Sequence, residues 1–511
     1  MKRPTPKRYD MRRIALAGAV LLLVPVTACS GSGSSPAAAG SRTLTIAIGN
    51  PHTGWDLAAA GLGDNIQYYE PVYDSLVRLD AKAKPTPNLA TSWSYDKTRT
   101  VLTMKLRSGV KFTDGTPLDA AAVKASLLHN KEGSNEAAGK LKAISSVDAV
   151  DSSTVAIHLS APNPELVGTL GDPAGMIASP KNLDAKGGPV GSGPYELDKA
   201  ATTNGSTYTF TRNADYWNKK AYPFNKIVIK NISDPTARLN ALLAGQVDWA
   251  RITPQTASQV KGRGLEVNAH PDSVEGLYIW DRAGKIVPAL AKVKVRQALN
   301  YAFDRESIVK KVNLGYATAT SQMATPGSSW YDESLAKNYP YDPAKARKLL
   351  AEAGYPNGFT VTMPDVSSVG PNQQAVMTQS LQDIGIKVRV DKIPRTELFT
   401  ALQSGKYAMS WFKLQSGQPW DFIQTELAKD AAWNPAKDFD PKLNALIARA
   451  QKATGEAQTE VYREINAYLQ ANAFNAPWDV LDAVQGNSKK IKVTSRDYVS
   501  AVPIYQMAPA S

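Results

Sequence analysis

Apolar and polar positions alternate with period two at Leu44, Ile46 and Ile48, at Leu102, Met104 and Leu106, and at Val155, Ile157 and Leu159. Side chains on a strand point to opposite faces in turn, so each run predicts a half-buried β-strand. Elsewhere the period changes to that of a helix. After Asp342-Pro343, the residues Ala346, Leu349, Leu350 and Ala353 form one apolar stripe that Gly354 ends. Asp is a good N-cap, Pro suits the first helical turn, and Gly suits the stop. Asp234-Pro235 repeats the device with Leu239, Leu242 and Leu243 before Gly245, and Val295, Ala298, Leu299 and Ala302 mark another helix. Phe359, Val361 and Met363 alternate, a helical stripe of Met377, Leu381 and Ile384 follows up to Gly385, and Ile386, Val388 and Val390 alternate again. That order predicts a β-α-β unit with two parallel strands. Strands and helices mix throughout, no repeat of solenoid period occurs, and the expected class is α/β with several lobes.

The N-terminus carries different information. Lys2, Arg3, Lys7, Arg8, Arg12 and Arg13 precede an apolar run from Ile14 to Val24. That run falls short of the ~20 residues a membrane span needs, and it fits the core of a secretory signal. It leads to Val26-Thr27-Ala28-Cys29, which resembles a bacterial lipobox and implies cleavage before Cys29 with a lipid on its sulfur. Residues 1–28 are therefore expected to be a signal peptide and 29–40 a lipidated tether. Cys29 is the only cysteine, so no intramolecular disulfide can form. The stretch from Ser30 to Gly40 is a low-complexity leash with nothing to bury. Arg12-Arg13 is compatible with twin-arginine export, although its flanking residues fit that signal poorly, and the export route stays open.

Composition adds exclusions. At 43% hydrophobic and 21% charged, the remainder reads as an ordinary globular protein. Of the formal charge of +13, six basic residues and one acid, Asp10, belong to the signal, so five charges leave with it and +8 remain. No arginine-rich run, zinc spacing or ribonucleoprotein motif accompanies this charge, so no nucleic-acid partner is expected. The four histidines, His52, His129, His158 and His270, show no ligand spacing, and no metal or cofactor is expected. No Gly-x-Ser-x-Gly, HExxH or Ser-x-x-Lys set stands out, which disfavours an exported hydrolase and predicts no catalytic residues.

Several blocks together resemble family 5 of the extracellular solute-binding proteins, the peptide/nickel/opine group. They are Tyr69 to Val77 (YEPVYDSLV), Pro87 to Trp93, Leu106 to Leu118 (LRSGVKFTDGTPL), Gly191 to Tyr195 (GSGPY), Leu239 to Trp249, Val295 to Val309 and Tyr341 to Tyr355. Their order, from about Leu44 to near the C-terminus, carries the likeness more than any one block. Locally, the Arg107–Phe112 stretch reads as a strand end and tight turn, and the glycines of GSGPY read as conformational rather than phosphate-binding. The resemblance implies a two-lobed periplasmic-binding-protein-like clamp with an additional domain. Domain I would comprise 41–75, 190–275 and 479–511, domain II 76–189, and domain III 276–478. It implies no enzyme: a monomeric protein, lipid-anchored on the outer face of the cytoplasmic membrane, would capture a peptide between the lobes and pass it to ABC permease subunits. A sensor without transport is the alternative use of the same fold.

Two stretches resemble ligand-lining segments of that family. The first holds Asn50, His52 and Trp55; the second holds Trp411, Gln415, Ser416, Gly417, Gln418, Trp420 and Asp421. In peptide-binding relatives the second carries an Asp that pairs with the ligand's α-ammonium, and here Gln418 stands at that place. Glutamine accepts a hydrogen bond but cannot neutralise a buried charge. Asp421 either replaces that carboxylate or caps a helix. With Trp55, Trp411 and Trp420 available for stacking, an oligosaccharide is the alternative ligand, and chelated nickel a further one.

Overall fold

The computed structural model describes residues 42–61, 63–133 and 135–510. The expected signal peptide 1–28, Cys29 and the tether 29–40 lie outside these. Among the described residues no helix is long and apolar enough to cross a membrane.

A nine-stranded sheet organises the chain. Its order runs Met409–Leu414, Glu266–Ile279, Ala476–Asn487, Trp249–Arg251, Thr43–Ile48, Lys226–Asn231, Thr207–Arg212, Tyr195–Leu197, with Ala317–Ala319 added against Ala476–Asn487. Thr43–Ile48 is parallel to both neighbours, with Ile46 opposite Ile229 on one side and Trp249 on the other. Leu44, Ile46, Ala47 and Ile48 are all buried, so both faces of this strand are covered where the alternation suggested one. Val101–Leu106 and Thr154–Leu159 form, as expected, and sit in the middle of a separate four-stranded antiparallel sheet.

The expected β-α-β unit is present. Thr360–Pro364 and Lys387–Asp391 pair in parallel with Val361 opposite Val388, and helix Pro371–Asp383 connects them. Asp234 and Asp342 each accept a backbone N–H at the start of helices Pro235–Leu243 and Pro343–Glu352, and Asp440 does the same for Pro441–Lys452.

Buried side chains gather in four clusters. One spans residues 76–177 around the four-stranded sheet. A second joins Leu44 to Tyr73, Met176 to Trp249, and Ile491 to Met507. The largest draws on residues 274–480, and a small one packs Leu242 and Val260 on Ala250 and Val484. The strands Glu266–Ile279 and Ala476–Asn487 run between them. At one end Asn487 pairs with Trp249, and at the other Leu277 pairs with Trp411. Their mutual register shifts between Pro271 and Ser273 and again between Glu275 and Gly276. At Gly276 the backbones approach so closely that a Cβ would stand 2.5 Å from Cα of Pro477. Register breaks of this kind bend paired strands.

Candidate functional site

The loop that leaves Thr43–Ile48 is fastened to the second cluster by aromatic rings. His52 lies 4.1 Å from Trp55, 5.0 Å from Tyr68 and 4.9 Å from Tyr208, centroid to centroid. Burial lowers its pKa to about 4, so the ring is neutral at physiological pH. Trp55 meets Tyr208 and Phe210 edge-on, both at 5.9 Å, and its carbonyl accepts the Tyr73 hydroxyl at 2.9 Å. Asn50 is exposed, and its carbonyl accepts from Tyr68 at 3.1 Å and Asn231 at 3.3 Å. Asp56 just beyond pairs with His129 at 2.7 Å.

The second segment is held by the largest cluster. Trp411 lies in the buried run Met409 to Phe412 of its strand, with its indole N–H donated to Glu275 at 2.5 Å and its ring against Gly370. Ser416 is buried between Thr325 at 2.9 Å and the Trp330 indole, which donates to its carbonyl at 2.8 Å. Gly417 lies under the Tyr498 ring, where a Cβ would stand 2.0 Å from the ring carbon. Gln418 precedes the short helix Pro419–Phe422 without a side-chain cap bond, and Trp420 is buried. Trp411 and Trp420 thus have protein on their faces. Gln415 is exposed and donates to Asp272 at 3.0 Å, and Asp421 pairs with Lys140 at 2.8 Å.

No ring contact joins Trp55 to Trp411 or Trp420 among the described residues. The two segments meet instead through one corner of the 76–177 module. His129, on helix Ala120–Lys131, takes Asp56; Asn135 donates to the carbonyls of Ala58 and Ala60 at 3.0 and 2.8 Å; Lys140 takes Asp421. Two further bonds tie that module to the 274–480 part: Arg99 to the Ala453 carbonyl at 2.7 Å and Gln451 to the Pro162 carbonyl at 2.8 Å. Glu165 faces the same seam. Its carboxyl is pushed up to about 8 by burial and by Asp421, with Lys140 opposing.

On and beside the paired long strands, residues that sequence reading did not single out collect near Gln415. Arg251 approaches Asp64 at 3.4 Å and Asp272 at 3.8 Å, and Asp272 also accepts from Gln415. Asp482 on the facing strand is pushed up to about 6 by burial and by Asp272. The set offers both signs of charge beside an amide, so it can meet a zwitterion's ammonium and carboxylate together. Nothing local marks Asp64, Arg251, Asp272 and Asp482, because they come from four separated stretches of chain. Among the described residues no group of three or more His, Cys, Asp or Glu side chains is arranged to hold a metal. His129, His158 and His270 are engaged by Asp56, Asp148 and the Val499 carbonyl.

Comparison with known proteins places these features in context. The family described as bacterial extracellular solute-binding proteins, family 5 (middle region), matches residues 84–434. The glutathione-binding protein GsiB of Escherichia coli K12 is 32% identical over 380 residues, covering 72% of this chain and 71% of its own. The periplasmic binding protein DppA of Helicobacter pylori, associated with an ABC transporter and solved in complex with the peptide STSA, superposes with a TM-score of 0.77 at 22% identity, covering 92% of this chain and 99% of its own. NikA of Brucella suis, in complex with Fe(III)-EDTA, gives a TM-score of 0.79 at 23% identity over 91% of this chain and 99% of its own. The α/β architecture is the periplasmic-binding-protein fold of these neighbours, and the similar proteins are binding proteins rather than enzymes.

Proposed function

Since the chain belongs to family 5 of the bacterial extracellular solute-binding proteins and serves in ABC import, we propose that it captures a peptide between its lobes and presents it, on clamp closure, to permease subunits. The three-domain division read from the sequence is part of this proposal, with the paired strands Glu266–Ile279 and Ala476–Asn487 as the hinge. What supports this reading is a mixed-charge set drawn from separate parts of the chain. Arg251 and Asp64 come from one side, Gln415 from the other, and Asp272 lies on the connecting strand. Ligand binding shifts an open–closed equilibrium by the contacts it adds only in the closed form, so a ligand touching both sides drives closure. The relatives support a peptide: GsiB is named for glutathione, itself a small peptide, and DppA was solved with a tetrapeptide. The packed faces of Trp411 and Trp420 leave a sugar little to stack on.

In this reading Gln415 and Asp272 receive the ligand's ammonium and Arg251 its carboxylate, with Asn50, His52 and Trp55 shaping the opposite wall. Attachment through a lipid on Cys29 at the outer face of the cytoplasmic membrane completes the proposal. Native mass spectrometry of the purified protein should reveal a co-purifying peptide, and calorimetry should give saturable binding of glutathione or short peptides. Arg251→Ala should weaken that binding about tenfold or more, from the ~1.5–3 kcal/mol of a charged hydrogen bond. Co-purification of a sugar, with no heat from any peptide, would sink the peptide assignment. Metabolic lipid labelling that survives Cys29→Ser would refute the anchor.

A further inference from the structure

Glu275 and Asp479 are cross-strand partners on the two long strands, directly at the second register shift. Both are fully buried. Each has one oxygen with a clear donor: Glu275 accepts the Trp411 indole N–H, and Asp479 accepts the Asn313 amide at 2.6 Å. Each also has one buried oxygen without a donor, Oε2 of Glu275 and Oδ1 of Asp479. As directly opposed residues of an antiparallel pair, the two send their carboxyls to the same face of the sheet, side by side. Two carboxylates side by side in an apolar interior cannot both be ionised, and a buried acceptor left unpaired is costly.

One proton resolves both difficulties, because the protonated carboxyl donates to its neighbour and the pair carries a single charge. The surroundings fit a retained negative charge of one. Lys413 stands opposite Glu275 on the adjoining strand, Arg305 lies near Asp479, and Asp482 further along the strand argues against a second charge. Burial pushes both carboxyls above the ordinary range; the Glu275 charge raises Asp479 further, while Lys413 and the Trp411, Gln373 and Trp478 side chains oppose the rise at Glu275.

We propose that Glu275 and Asp479 share one proton at neutral pH and act as positioning residues for the segment that begins at Trp411. Glu275 holds the Trp411 indole; Asp479 holds Asn313, which follows the helical turn Ile308–Val312. A neutral-plus-anionic pair keeps the strands in register at the bend, whereas two anions would separate and release the indole. That this steadies a ligand-lining segment rests on the capture reading above; the shared proton does not.

Three measurements on the purified protein test this without any ligand. Infrared difference spectra in heavy water near neutral pH, wild type minus variant, should show the loss of one carboxylic-acid carbonyl in both Glu275→Gln and Asp479→Asn. Native capillary electrophoresis should give the wild-type net charge for each single variant, because the remaining carboxyl then ionises, and one more positive charge for the double variant. The Trp411 indole resonance, assigned through Trp411→Phe, should stay in place in Glu275→Gln, whose carbonyl still accepts, and move in Glu275→Ala. A single variant that gains a full positive charge, or an acid band unchanged in Glu275→Gln, overturns the shared proton. An indole resonance that moves as far in Glu275→Gln as in Glu275→Ala overturns the positioning role. Glu275→Gln is nearly isosteric, so it decides the matter even if Asp479→Asn fails to fold. A protein that binds no peptide would leave all three readouts intact.

Discussion

Asp421 stands three positions after Gln418, but its carboxylate meets Lys140, far away in sequence, at 2.8 Å. Both side chains are partly exposed, at 34% and 25%, so the attraction is screened. A double-mutant cycle of Asp421→Ala and Lys140→Ala should give a coupling of about 0.2–1 kcal/mol in the open–closed equilibrium, read by small-angle scattering, with a smaller effect on unfolding. A coupling of zero would remove the pair from the proposed closure. The sequence left Asp421 between a ligand carboxylate and a helix cap, and the structure adds a third use, a contact across the seam. Asp440 is a simpler case: it caps its helix and also accepts the Tyr468 hydroxyl. Asp440→Ala should cost about 1–2 kcal/mol in urea unfolding.

At the scale of elements, the GSGPY stretch shows what its glycines do. Gly191 and Gly193 pass so near Val72 that a Cβ would lie 2.0 Å from its carbonyl oxygen and 2.4 Å from its carbonyl carbon, respectively. Room for close backbone approach is the requirement, and Ser192 between them donates to Asp74 at 3.2 Å. Gly193→Ala should destabilise by about 1–3 kcal/mol or more, because backbone rather than a flexible side chain must move. An unchanged urea midpoint would contradict this. The β-α-β unit and the Asp-Pro helices were legible because their signals are local, in apolar spacing and in a cap one residue from the first turn. The strand Glu266–Ile279 was not. Pro271, Asp272 and Glu275 interrupt any alternation, and these polar positions are acceptable only because other strands and loops supply their partners.

For the whole molecule, Glu165 makes the contact between the 76–177 module and the 274–480 part sensitive to pH. Its folded value of about 8 lies above the ordinary ~4.3 of a free glutamate, so the folded chain with this contact formed binds its proton more tightly than the unfolded chain. Its contribution is therefore complete below about pH 4.5 and is lost as pH rises through 8. The radius of gyration should increase between pH 6 and about 9, and Glu165→Gln should flatten that rise. A profile identical in the variant would assign the change to other groups. His52 contributes differently: neutral in its aromatic setting with a pKa of about 4, it opposes protonation and costs stability only as the medium becomes acidic.

Taken alone, the amino-acid order determined the class of elements, the helix caps, the order of family blocks and the two segments to watch, because each depends on residues within a few positions or on order along the chain. Only the tertiary structure decided that Gln415 meets Asp272 and Arg251, that Trp411 and Trp420 turn into the core, that Asp421 reaches Lys140, and that Glu275 and Asp479 stand side by side. Such contacts depend on register, strand bending and lobe approach, which sum many weak preferences over the whole chain and leave no mark at any single position.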